Sequence, residues 1–225
     1  MILSPGRGYV FIHIPKTGGT ALALALEGRA MKDDIMLGDT PKARRRRRRV
    51  QGAPARGRLW KHSTLADIEG LVPDAVLDGL FAFTLVRNPW DRAVSYYHWL
   101  RGQRFDHPAV GLAKRLEFND FILHPETRAG FRDTPAASYM RRADGREHCD
   151  AYIRIERFKE DAAPLFAHLG FRLELPRANR SDRPKDYRTA YAPPAAEAIA
   201  EVCAEDIARF GYRFDQDPSP LSSRA

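Results

Sequence analysis

Lys16, Thr17 and Thr20 flank the pair Gly18-Gly19 in Ile14-Pro15-Lys16-Thr17-Gly18-Gly19-Thr20, directly after the apolar run Tyr9-Val10-Phe11-Ile12-His13. An ammonium, two hydroxyls and a glycine pair at one turn suit an anion of phosphate or sulfate size. Glycines permit close backbone approach, and the N–H groups and dipole of a following helix favour negative charge. A second cluster, Arg87-Asn88-Pro89-Trp90-Asp91-Arg92, follows Leu80-Phe81-Ala82-Phe83-Thr84-Leu85-Val86, with Ser95 about two helical turns beyond Asn88.

These residues need elements to hold them. The first run reads as a strand, the glycines as a turn, and Ala21-Leu22-Ala23-Leu24-Ala25-Leu26 as a helix. In a Walker A loop the lysine follows the glycines, beside a Mg²⁺-binding hydroxyl. Here Lys16 precedes them, so a nucleotide lies differently across the turn or is held without that metal; the plain alternative is a strand-to-helix turn with an incidental lysine. The run 80–86 has the length and continuity of a buried parallel strand. Asn88 is placed to cap a helix whose first residue is Pro89. Ligands of open α/β sheets collect at strand carboxyl ends, so Arg87 stands where ligands bind.

Elsewhere the pattern is coarser. Ser63 or Thr64 caps a short helix over 66–69, leaving His62 on the preceding loop. Residues 29–59 read mainly as loop, and 101–146 as helices and loops, with Phe118, Phe121, Ile122 and Leu123 at helical spacing. A strand over 151–155, a helix stopped by Gly170, and a last helix over 194–210 complete the chain. The expectation is a single α/β domain over 1–215 and a frayed tail over 216–225. Trp90, Tyr96, Tyr97 and Trp99 read as helix packing. Arg141-Arg142 meets either solvent or an anionic acceptor.

Composition narrows the classes. The chain has 225 residues and a net charge of +8, and Arg44 to Arg49 alone contribute six positive charges, so basicity is concentrated in one run. That run, within 41–58, reads as a solvated basic loop. An acidic polymer such as a glycan is its natural partner if it has one; nucleic acid ranks lower because no stacking aromatics accompany it. Two cysteines, Cys149 and Cys203, exclude a disulfide framework and lack zinc-site spacing. No stretch approaches the ~20 apolar residues of a membrane span, so a cytoplasmic protein is expected.

Pro-Lys-Thr-Gly-Gly-Thr after a first strand and Val-Arg-Asn-Pro-Trp-Asp-Arg-x-x-Ser after a later one, about 70 residues apart, resemble the sulfotransferases. The likeness is greatest to the carbohydrate branch that includes heparan-sulfate 2-O-sulfotransferases. It extends through Lys61-His62-Ser63-Thr64 and the 179–191 loop to Asp206-Ile207-x-x-Phe210-Gly211-Tyr212. It implies a P-loop-like three-layer fold with a mainly parallel central sheet, and transfer of the sulfuryl group of 3′-phosphoadenosine 5′-phosphosulfate to an acceptor hydroxyl, expected on a carbohydrate. It also implies that Lys16, Thr17, Gly18, Gly19 and Thr20 bind the 5′-phosphosulfate, that Arg87 and Ser95 bind the 3′-phosphate, and that Ser181, Arg183 and Lys185 close over the donor.

By the same resemblance His62 stands where the catalytic histidine of that branch lies. An acceptor hydroxyl needs a base, and a histidine suits that task near neutral pH; His13 is the second candidate. Lys16 would neutralise the departing 5′-phosphate, and no metal is expected. Two other readings stay open: a P-loop nucleotide kinase, which would need Mg²⁺ and ATP, and a non-catalytic module binding nucleotide or acidic polymer.

Overall fold

The computed structural model describes residues 1–176 and 183–215. The chain divides into two compact units, one formed by 1–86 and 136–179 and the other by 87–135 and 180–225. The expected tail over 216–225 and Ser181 lie outside the described residues.

The first unit is built on five strands: β1 (Ile2–Ser4), β2 (Tyr9–Ile12), β3 (Ile35–Met36), β4 (Phe81–Val86) and β5 (Ala151–Arg154). Their order is β3-β1-β2-β4-β5. β2, β4 and β5 run parallel, whereas β1 is antiparallel to both β2 and β3. The class is α/β as expected, but the sheet is mixed rather than mainly parallel. The reason is local: only four residues, Pro5 to Gly8, join β1 to β2, and Gly8 at φ 66° closes the turn, too short a link for a parallel crossover.

The strands alternate strictly. Tyr9, Phe11, Phe83, Leu85 and Ile153 join one buried cluster with Leu22 and Leu26 of helix α1 (Gly19–Glu27), while Val10, Ile12 and Ala82 join another with Leu65, Ile68 and Leu77. Both faces of the sheet are therefore buried, which explains the unbroken apolar runs.

The segment expected as loop over 29–59 holds more structure. It contains β3, then helix α2 (Pro41–Arg46), then a 3₁₀ turn over Arg47–Val50. Thr40 Oγ1 accepts from Ala43 N, Pro41 occupies the first turn, and Ala43 is buried. A cap, a well-placed proline and one buried alanine outweigh charge repulsion along the arginines. Helix α3 (Leu65–Ile68) is capped by Thr64, with Asp67 returning the bond to form a capping box. Ser63 instead donates to Arg58 O and accepts from Trp60 N, which stiffens the 58–63 turn.

Arg142 is an interior structural residue and not a surface contact. It is 6% exposed and donates to Glu69 at 2.7 Å, to Asp78 at 2.5 Å and to Asp74 at 3.1 Å, the latter two on helix α4 (Asp74–Asp78).

The second unit is helical. Helix α5 (Pro89–Arg101) is capped as expected by Asn88, whose side chain accepts from Trp90 N and Asp91 N and donates to Tyr187 Oη and Arg213 O. Tyr97 packs edge-on against Phe118, and Tyr96 against Phe131, while Trp90 Nε1 donates to Ala196 O. The last helix is broken at Cys203 into Pro193–Val202 and Ala204–Phe210. Cys149 and Cys203 are free thiols, and burial pushes both up to about 12, which makes them inert. Among the described residues no helix is long and apolar enough to cross a membrane.

Arg142→Met should cost ~2 kcal/mol or more in urea unfolding, because the largely buried Glu69 loses its close cation and keeps only Ala143 N and the more distant, exposed Arg56. A loss below ~0.5 kcal/mol would show that the cluster is only a surface network.

Candidate functional site

In the first unit the chain leaves β2 through His13, makes the turn Ile14–Gly18, and enters α1 at Gly19. Lys16 sits at φ 67° and Gly18 at φ 89°. A lysine in the left-handed region is strained by ~1 kcal/mol or more and persists only where its surroundings impose it. Thr17 Oγ1 donates to Ile14 O at 2.9 Å in a buried position, so this hydroxyl closes the turn. Lys16 and Thr20 remain partly exposed.

The glycines have a role beyond the one their sequence indicates. A Cβ on Gly18 would stand 2.0 Å from Ile155 Cδ1, and one on Gly19 would stand 2.1 Å from the His13 ring. They let the turn lie flat on the interior, and the first N–H groups of α1 have no acceptor within the helix. The cradle is therefore held from below by packing.

His13 connects the turn to the base candidate. His62 Nδ1 lies 2.6 Å from His13 O. A carbonyl only accepts, so Nδ1 carries the proton and Nε2 keeps its lone pair. The two rings meet edge to face at 4.6 Å, and Trp60 meets His62 the same way at 5.0 Å. Burial is the main reason that the His62 pKa is lowered to about 4; His13, fully enclosed, is also held well below 6.5. Both imidazoles are neutral at pH 7. Beside them Lys61 Nζ donates to Asp39 at 2.7 Å, and a cavity is lined by His13, Thr20, Asp39, Thr40, Ala43 and Lys61. Sequence pattern missed Asp39, Thr40 and Ala43 because their segment read as loop.

The second unit holds the other expected anion-binding residues. Arg87 donates from Nε and Nη2 to Asp91 at 2.9 and 2.6 Å, and Arg183 Nη1 donates to the other oxygen of the same carboxylate. Burial opposes the charge on Asp91, and the two guanidiniums outweigh it, holding its pKa below the ordinary carboxylate value. Ser95 lies one helical turn beyond Asp91 on the same face and is buried. Lys185 is exposed. The i+4 spacing of Arg87 and Asp91 is the sequence signal for their local ion pair; Arg183 as its second partner has none.

Among the described residues no group of three or more His, Cys, Asp and Glu side chains is arranged to hold a metal ion.

The histidines also set a pH dependence. With a folded pKa near 4 against an ordinary 6.5, the unfolded chain binds the proton first. Stability from this source is unaffected above pH 6.5 and falls as pH drops from 6.5 towards 4. His62→Gln should therefore lose less stability between pH 7 and pH 5 than the native chain, measured by urea unfolding. An identical loss in both would refute the low His62 pKa. Compared with family models, with curated proteins and with solved structures, the chain matches none.

Proposed function

We propose that the chain is a sulfotransferase that moves the sulfuryl group of 3′-phosphoadenosine 5′-phosphosulfate to a hydroxyl of a carbohydrate. The observation that carries the reading is the stack Gly19, His13, His62. It sets an anion-suited turn next to a histidine whose free nitrogen is fixed as Nε2. The strained Lys16, the partly exposed Thr20 and the N-terminus of α1 fit an anion of phosphosulfate size. The parallel trio β2, β4, β5, buried on both faces, supports a P-loop-like three-layer architecture.

The donor supplies an S–O bond that breaks towards its 5′-phosphate as the acceptor oxygen bonds to sulfur. Lys16 and the first N–H groups of α1 stabilise the charge that gathers on that phosphate. His62 Nε2 takes the acceptor's proton, and its bond to His13 O holds the ring in one orientation. A base with a pKa near 4 is weak, but an anion bound at the adjacent turn favours the protonated imidazole and raises that pKa. In this reading Arg87 and Ser95 take the 3′-phosphate, as their motif implies, with Arg183 and Lys185 as further donor contacts; Ser181 belongs to the same proposed set. Two free cysteines agree with a reducing, cytoplasmic setting.

Isothermal titration decides between this reading and a nucleotide kinase. The native chain should bind 3′,5′-bisphosphoadenosine without metal more tightly than ATP with Mg²⁺. Lys16→Ala should weaken that binding about tenfold. His62→Ala should keep it and lose ~10²-fold or more in turnover with a labelled donor. Preference for ATP with Mg²⁺ would replace the sulfotransferase by a kinase, and full turnover in His62→Ala would remove the histidine from the reaction.

A further inference from the structure

At the end of β2 opposite to His13, the first unit presents apolar side chains inside a ring of fixed cations. A Cβ on Gly6 would stand 2.8 Å from Met31 Sδ, so Met31 lies across the turn Pro5–Arg7, and it is still 38% exposed. Arg7, next to Gly6, and Arg29, two residues before Met31, both lie over the Phe171 ring, at 5.4 and 4.8 Å from its centre. Phe171 itself, with Phe166 and Leu169, packs on the edge of the core cluster and is only partly buried.

The cations are held in place. Arg7 Nε donates to Arg29 O at 2.9 Å, and His168 Nε2 donates to Arg7 O at 3.0 Å. Arg172 lies over Phe166 at 6.0 Å. Next to Met31 in the chain, Lys32 offers its carbonyl to Arg49 Nη1. Arg29, Lys32, Arg49 and Arg172 are exposed, whereas the exposed acids of the same segments are Asp33 and Glu174 alone.

We propose that this face docks peripherally on an anionic phospholipid bilayer. A guanidinium stacked on a ring offers an N–H edge that pairs with a lipid phosphate, while Met31 and the phenyl rings suit the apolar level just beneath the headgroups. Each basic residue near such a surface adds roughly fivefold in affinity. A bilayer interface uses both the charge and the apolar centre. Single-stranded nucleic acid would stack its bases on open rings, and Arg7 and Arg29 already lie over Phe171. A duplex backbone accounts for the cations but not for Met31. The face and the candidate site stand at opposite ends of β2, roughly 16 Å apart at ~3.3 Å per residue from Gly8 to His13. Docking therefore uses none of the residues of the Lys16–Thr20 turn, and it does not rest on the function proposed above.

Flotation of the full chain with vesicles of phosphatidylcholine, and of phosphatidylcholine with about 30% phosphatidylserine, tests the proposal. The mixed vesicles should bind at least tenfold tighter, and R29Q/K32Q/R172Q, which leaves Arg7 and Arg49 to hold the backbone, should lose that difference. An environment-sensitive fluorophore on Met31→Cys should shift to the blue on the mixed vesicles. One on Val76→Cys, exposed on α4 against the opposite face of the sheet, should not. The labelled chains report which face meets the bilayer even where the triple variant fails to fold. Equal binding to both vesicles would overturn the proposal, as would undiminished binding by the folded triple variant or a blue shift at residue 76 without one at residue 31. Tighter binding of a polyglutamate peptide or of a duplex oligonucleotide at equal salt would overturn it too, and give the face to a protein or nucleic-acid partner.

Discussion

The seat of Gly19 on the His13 ring is the constraint on which the candidate site depends. With a Cβ position only 2.1 Å from that ring, residue 19 has to be glycine for α1 to begin where it does. The same histidine offers its carbonyl to His62. One residue at the end of β2 therefore sets the height of the turn and the tautomer of the nearby imidazole. Displacing it would move both the turn and the His62 ring, alongside the supports that Thr17 and Ile155 give the turn and Trp60 gives the ring.

Around this seat the first unit combines stability and strain. The Arg142 network joins Glu69 to α4, and the apolar cluster that includes Phe11, Leu22 and Leu85 lies beneath the turn. The left-handed Lys16 lies within it. Strain of this kind is tolerable where a rigid surrounding overrides local preference, and it collects at binding sites because it holds a side chain where the relaxed backbone would not. The low pKa values of His13 and His62 follow from the same enclosure: the packing that fixes the turn also desolvates the rings. In the second unit the arrangement is different, because Arg87 and Arg183 share the single carboxylate of Asp91, which offsets one of their two charges. An anion held there has to compete with a carboxylate or share its guanidiniums.

Much of this was legible in the sequence for specific reasons. The strand, turn and helix around Gly18-Gly19 follow from an apolar run, a glycine pair and an alanine-leucine repeat, and all three are local signals. The Asn88 cap with Pro89 is equally local. The antiparallel edge was not legible, since β1 and β3 are three and two residues long and carry no periodicity. Helix α2 was hidden because six arginines read as solvent-exposed loop; its fold depends on Thr40, on Ala43 packing, and on carbonyls of Glu27, Asp34 and Lys32 that only tertiary structure supplies. The roles of Thr17 and the two glycines were legible only in part. Their types indicated an anion turn, whereas the structure adds what each touches beneath it.

The central claim is that the turn from Lys16 to Thr20 is an anion cradle coupled to His62 through His13. Its most direct measurement is an amide and imidazole NMR titration of the native chain with 3′,5′-bisphosphoadenosine. The amides of Lys16, Thr17, Gly18, Gly19 and Thr20 should shift together along one binding curve, and the His62 pKa should rise from about 4 as the ligand saturates. Saturable binding that leaves those amides and the His62 pKa unmoved would contradict the account.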